Sequence, residues 1–345
     1  MARKTDAMRM KCALLVALVG LFATAADASD RTCIDDAPVC IESIKGESML
    51  TLVAKNGSDA PYSIRVTLEE HGNLEPSMPL PFRAVIKSGS QRAIGSFSYV
   101  HDSETTRHRF RLRAALGSAL ARPHARHQYR MPFGGASARI LSQGVGGRHS
   151  HRGKSRWSFD FAMPWGTPVL AARAGTVVEV LDGRLASGTA PLPYHEANRV
   201  TVLHADGTLG MYAHLRHGIP VQAGERVETG HRLGSSGDTG LATGPHLHFM
   251  VWKREADLSM SSVPIRFHDG SAQGMVPTMG ATYAAACSTS GVGCAPGELP
   301  PEESRPAAQA NAEPRTSTRR ADGACLCANG AVIHVDLPCS RVCGS

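Results

Sequence analysis

Five residues of this chain have the types and order to do metal chemistry: His151, Asp160, His214, His246 and His248. Side chains two apart on an extended strand leave the same face, so His246 and His248 would project side by side into one groove. Catalytic zinc takes three protein ligands from His, Asp or Glu and keeps a further position open. His151, Asp160 and His248 can supply that set, which leaves His214 and His246 to move protons. The spacing alone says little, because the chain has 16 histidines in 345 residues and His149-Ser150-His151 repeats the pattern. Asp160 adds a separate signal, since it sits between Phe159 and Phe161, and a carboxylate among apolar neighbours is costly to bury without a cation. No His-Glu-x-x-His motif is present, so a general base must come from another group, and an imidazole with a pKa of about 6.5 suits the task near neutrality. His204, His217 and His231 stand outside any motif and are read as ordinary hydrogen-bonded side chains.

The elements that must carry these residues read as strands. Val177-Val178-Glu179-Val180 and Val200-Thr201-Val202-Leu203 are rich in β-branched residues, and the run from Pro220 to Val227 reads as a hairpin connection. No long amphipathic helix is evident between residues 134 and 268, so an antiparallel β architecture is expected there. Gly-Thr-Pro-Val and Gly-Glu-Arg-Val elements also occur in lipoyl and biotinyl carrier domains. That reading lacks a Met-Lys hairpin tip and leaves the histidines without a role.

The stretch from Arg148 to Trp252 resembles the lysostaphin-type, or LytM-like, M23 metallopeptidases. The resemblance is carried by the run Asp160 to Val169 with Ala171 to Val178 behind it, by Tyr212-Ala213-His214-Leu215, and by Gly234 to Gly237 continuing through Thr243-Gly244-Pro245-His246-Leu247-His248-Phe249. It covers about a third of the chain. It implies one zinc ion per chain held by His151, Asp160 and His248, with His214 and His246 as the two non-ligand histidines. Of these we assign His246 to activating water and His214 to holding the oxyanion. Many members place the first histidine four residues before the aspartate, where this chain has Arg156. His151 is therefore taken as the first ligand, and His149 stays as its competitor. The resemblance further implies an endopeptidase acting on the peptide stems of peptidoglycan. Two alternatives remain open: a catalytically silent regulator of another wall hydrolase, or a peptidase acting on glycine-rich secreted proteins.

Outside this region the composition divides the chain. Residues 1–28 read as a signal peptide, with Arg3, Lys4, Arg9 and Lys11 before an apolar run from Cys12 to Ala23. That run falls short of the roughly 20 residues a spanning helix needs, so a periplasmic or secreted protein without stable membrane insertion is expected. Residues 29–133 hold strand-like stretches such as Met49 to Ala54 and Tyr62 to Leu68, separated by turn chemistry, which fits a small β-sandwich-like domain. The Arg/His-rich segment from Arg107 to Arg130 reads as a solvated surface marking its end. Residues 134–268 form the peptidase-like domain. Residues 269–323 read as a largely disordered linker, and residues 324–345 as a Cys-rich segment too short for a core. Removal of Cys12 with the signal leaves eight of nine cysteines, an even number suited to disulfides in an oxidising compartment. The formal net charge of +7 favours anionic partners, and no nucleic-acid-binding motif accompanies it.

Overall fold

The computed structural model describes residues 31–285, apart from 36, 102–104, 136, 185–186 and 189–196, together with the short strands Thr318–Arg319, Ala324–Leu326 and Val332–His334. The proposed signal peptide and the cysteines at 287, 294, 327, 339 and 343 lie outside the described residues. Among the described residues there is no α-helix; one 3-10 turn, Gly153–Ser155, interrupts a chain of strands. None of the described helical segments is long and apolar enough to cross a membrane.

The amino-terminal part is a sandwich of two antiparallel sheets. The larger contains Arg31–Ile34, Ala37–Lys45, Met49–Asn56, Gln91–Tyr99 and Leu74–Pro76 in that spatial order. The smaller places Tyr62–Gly72 between Phe82–Ile86 and Arg107–Leu116. Alternate residues of both sheets, including Ile41, Leu52, Ile64, Val66, Phe82 and Phe97, meet in a shared core. Two facing sheets are one way to bury one face of each strand. Cys33 and Cys40 pair across the first two strands and are joined by a disulfide. The Arg/His-rich segment is not wholly a solvated boundary. Arg107–Leu116 is a paired strand whose arginines face outward while Phe110, Leu112 and Ala114 pack on the core.

The second unit is built on one large sheet, flanked by small two-stranded ones. Its strands are β1 (Arg139–Gln143), β2 (Ser158–Ala162), β3 (Gly175–Leu181), β4 (Arg199–Leu203), β5 (Leu209–Ala213), β6 (Arg226–Val227), β7 (His246–Arg254), β8 (Met260–Ser262) and β9 (Thr282–Tyr283). Their spatial order is β6-β3-β4-β5-β7-β2-β1-β9, with β8 against β7, and every pairing is antiparallel. One face, with Phe159, Phe161, Tyr212, Leu247, Phe249, Val177, Val200 and Val202, builds the main core. The opposite face carries Leu209, Met211, Met250 and Trp252 at one end and the candidate site at the other. Residues 269–285, read from composition as the start of a linker, continue onto this sheet: Met275 bridges Phe267, and Thr282–Tyr283 adds the edge strand to β1. Sparse apolar content hid this, because only a few side chains of the segment, Met275, Tyr283 and Ala285, pack against the core. In the carboxyl-terminal segment three short strands pair antiparallel, with Cys325 opposite Ile333.

Candidate metal centre and its histidines

Alternation along β2 and β7 builds the site. Phe159 and Phe161 point into the core, so Asp160 faces the other way. Leu247 and Phe249 do the same for His246 and His248. Register then decides who meets whom: Asp160 stands directly opposite His248, and Ala162 opposite His246. His248 Nδ1 lies 2.8 Å from Asp160 Oδ1. His151 arrives from the loop between β1 and β2 and places Nε2 3.1 Å from the same oxygen. Ligand atoms of His151, Asp160 and His248 all lie within 4.8 Å of one another, and all three residues are buried. His149 is exposed and contributes only its backbone N–H, which donates to Gln143 Oε1.

His151 tests whether this donor set fits a metal. Its Nδ1 is 2.8 Å from the carbonyl oxygen of Gly144, an acceptor, so Nδ1 carries the proton. In the neutral ring Nε2 is then a lone pair; it is buried and makes no hydrogen bond, yet it faces a carboxylate oxygen. Two electron-rich atoms held together this way call for a cation between them. Metal-bound imidazoles usually donate their second N–H to a carbonyl or carboxylate, as His151 does. Burial works against charge on Asp160, but the imidazoles of His248 and His151 outweigh it and hold the carboxyl well below the usual carboxylate range. The residues therefore fit a divalent metal.

Gln143 completes the arrangement and carries no motif that would reveal it. It is buried on β1 opposite Asp160. Its Nε2 donates to Asp160 Oδ2 at 2.8 Å and to Ser150 Oγ at 2.9 Å. Its Oε1 accepts from the backbone N–H of His149 and Ser150. One amide thus fixes the aspartate and the loop that delivers His151.

His214 and His246 lie beside this centre, their rings 4.4 Å apart, and the His214 ring is 6.1 Å from that of His248. His214 follows β5 with φ +65°, a left-handed conformation in which histidine is enriched over most side chains. The turn lets its carbonyl accept the Gly237 N–H while Nδ1–H donates to the Thr239 carbonyl at 2.7 Å. Gly237 is required by closeness, since a Cβ there would come within 2.7 Å of the Arg216 nitrogen. Nδ1–H of His246 donates to the Gly244 carbonyl at 2.8 Å. The Gly234–Gly244 run therefore anchors both rings from behind and leaves each Nε2 for the site. Burial, reinforced by His246 and His248, pushes the His214 imidazole down to about 3. Among the solitary histidines, His204 is buried against Thr208, His217 meets Asp182 and His231 meets Glu225.

A β-sheet that presents two imidazoles and a carboxylate from adjacent strands and a neighbouring loop has the donor set of a metallohydrolase. Comparison with known proteins agrees: residues 154–260 match the model of peptidase family M23, and the chain carries a domain of that family. Asp160, His214, His246 and His248 lie inside the match, and His151 three residues before it. Similar curated proteins include an uncharacterized metalloprotease of Buchnera aphidicola, 33% identical over 31% of this chain and 26% of that protein. The peptidoglycan DD-endopeptidase ShyA of Vibrio cholerae is 38% identical over 31% of this chain and 23% of its own length. The glycyl-glycine endopeptidase ALE-1 of Staphylococcus capitis is 34% identical over 33% of this chain and 29% of its own. The chain thus spans about a quarter of the length of the curated relatives it matches. Among solved structures, the catalytic domain of the M23 protein EnpA from Enterococcus faecalis is 26% identical, covers 38% of this chain and 92% of its own, and has a TM-score of 0.29.

Proposed function

We propose that this protein is an exported zinc metalloendopeptidase that hydrolyses peptide crosslinks of peptidoglycan. The observation that carries the reading is the convergence of His151, Asp160 and His248 beside two imidazoles anchored by backbone carbonyls. The substrate class is supported by the names of relatives that share the domain.

His151, Asp160 and His248 would hold the ion, which when bound acidifies water and polarises a carbonyl. The chain's own residues supply the proton handling. With Nδ1–H committed to Gly244, neutral His246 offers Nε2 as a lone pair. Being half-buried at the site's mouth, it takes the proton from the attacking water at Nε2 and returns it to the leaving amine. His214, also anchored through Nδ1, presents a lone pair in its neutral form and becomes an Nε2 donor to an oxyanion only when protonated. Burial keeps it neutral in the resting site. The oxyanion role expected for His214 therefore requires a proton gained during the reaction, and its resting role is to orient water and the His246 ring. A silent regulator would not need this set, in which every expected group is present.

Purified protein shown to hold zinc should release new peptide ends from isolated sacculi, and the His248→Ala protein should release none. Zinc-loaded wild type that leaves crosslinked muropeptides intact but cuts a glycine-rich polypeptide would redirect the substrate assignment.

A further inference from the structure

His214 leaves β5 in a backbone conformation that side chains disfavour. Its φ of +65° lies in the left-handed region, which a residue other than glycine keeps only where its surroundings over-determine it. Four hydrogen bonds supply that constraint. Two fall on His214 itself: its carbonyl accepts the Gly237 N–H at 2.9 Å, and its Nδ1–H donates to the Thr239 carbonyl at 2.7 Å. Two fall on the next residue: the Leu215 N–H donates to the Asn198 carbonyl at 3.1 Å, and the Leu215 carbonyl accepts from Thr239 Oγ1 at 2.8 Å. Thr239 therefore grips both residues of the turn, one through its carbonyl and the other through its hydroxyl.

The direction of the hydroxyl proton follows from its two partners. Thr239 Oγ1 lies 3.1 Å from the Asn198 backbone nitrogen, which can only donate, and 2.8 Å from the Leu215 carbonyl, which can only accept. The single proton goes to Leu215, and a lone pair takes the Asn198 N–H. Asn198 is itself fixed, since its Oδ1 accepts the Arg184 N–H and its Nδ2 donates to the Arg184 carbonyl, both at 2.9 Å. Thr239 and Asn198 are buried, so losing the hydroxyl would strand a donor and an acceptor away from water. On either side of Thr239, Gly237 bridges His246 and Gly240 pairs with Ser187, whereas Thr239 belongs to no strand.

We infer that Thr239 is a positioning residue: its hydroxyl, seated between Asn198 and Leu215, aims the carbonyl that holds the His214 ring, and so fixes which imidazole nitrogen faces the metal centre. Gln143 braces the ligand side of the site, and Thr239 braces the side that handles protons. The kinetic consequence rests on the peptidase reading, whereas the tautomer of the ring does not.

The test uses the zinc-loaded full chain with nitrogen-15 in its imidazoles near neutral pH. Long-range proton–nitrogen correlation reads the tautomer of His214, whose signals are assigned by their loss in His214→Gln. Wild type should carry the proton on Nδ1. Thr239→Val keeps the side-chain shape and removes the hydroxyl. It should lose the single tautomer and lower kcat on crosslinked muropeptides by about tenfold or more, the usual worth of an outer partner. Its zinc should be retained and its KM changed by less than about threefold, because the lost support acts in the transition state. Thr239→Ser keeps the hydroxyl and should restore both the tautomer and kcat. Ser63→Ala controls for stability alone: Ser63 is also buried, and its hydroxyl likewise donates to one backbone carbonyl, that of Gly117, and accepts one backbone N–H, that of Ala119. It should melt earlier than wild type and leave kcat and the tautomer unchanged. The inference is overturned by a wild-type His214 protonated on Nε2, or by a Thr239→Val protein that keeps either the tautomer or kcat. It is equally overturned by a loss carried by zinc or KM, by a Thr239→Ser protein no better than Thr239→Val, or by an equal loss of kcat in Ser63→Ala. Should Thr239→Val not fold, Thr239→Ala takes its place under the same criteria. If zinc-loaded wild type cuts no substrate, the peptidase reading fails and the spectra alone decide whether Thr239 sets the ring.

Discussion

The two halves of the molecule use one rule of sheet pairing to opposite ends. On β2 and β7, direct opposition brings Asp160 and His248 together in a buried site that hydrogen bonds from His248 and Gln143 tie together and that fits a metal. On the smaller sheet of the sandwich, direct opposition lines up Arg83, Arg65 and Arg113 on the outward face, where no ion pair with a described residue neutralises them. Burial makes the difference. In the interior an unpaired charge is too costly to persist, so the network closes on itself. At the surface water and salt screen the repulsion, so like charges can stand in a row.

The largest break in the comparison should come from removing a ligand of the buried site. His248→Ala is expected to abolish peptidase activity and to lower bound metal from about one ion per chain toward none, measured by elemental analysis of protein dialysed against trace zinc. Retained stoichiometric zinc in that variant would exclude His248 as a ligand. Next in size is His246→Ala, which should keep its zinc and lose activity by about 10²–10⁴-fold, the usual worth of a positioned general base. Equal loss of metal and activity would make it a ligand instead.

Gln143→Ala sharpens the comparison, because it removes no ligand and no charge but cuts the ties to Asp160 Oδ2 and the His149–Ser150 backbone. Outer partners of this kind are worth about 10–100-fold in metal affinity, so chelator competition should show weaker zinc binding. An unchanged dissociation constant would leave Gln143 a purely structural residue.

The smallest effect concerns stability away from the site. Burial, with the charge of Arg173 adding to it and that of Asp206 opposing it, lowers the His204 imidazole to about 3. The unfolded chain binds this proton from about pH 6.5 downward, while the folded chain does not until near pH 3. Its stabilising contribution is complete above the unfolded value and is lost as pH falls through that window. The slope reaches at most about 1.4 kcal/mol per pH unit for one group. Denaturant melts at pH 7, 6 and 5 should therefore show a shallower decline for His204→Gln than for wild type, and parallel declines would assign the proton uptake elsewhere.

Much of the peptidase sheet was legible because alternation is a local property. Phe159-Asp160-Phe161 and His246-Leu247-His248 already state which side chains go inward and which outward, and β-branched runs announce β3 and β4. The amino-terminal sandwich was legible in kind for the same reason. The strand Arg107–Leu116 was harder, because its outward arginines outweighed its inward apolar residues in any reading by composition. The edge strand Thr282–Tyr283 is only two residues long, too short for alternation to show, although Tyr283 packs against the core.

The sequence by itself determined the inventory of reactive groups, the face of the strand each would take and the class of chemistry they permit. Tertiary structure decided the rest: that His151 and not His149 reaches the buried oxygen, that Gln143 ties the site together, and that three arginines from distant parts of the chain stand abreast. The reason is physical. The direction of a side chain is set by its own backbone, whereas its partner across a sheet is set by register between strands that the chain brings together only when the whole core closes.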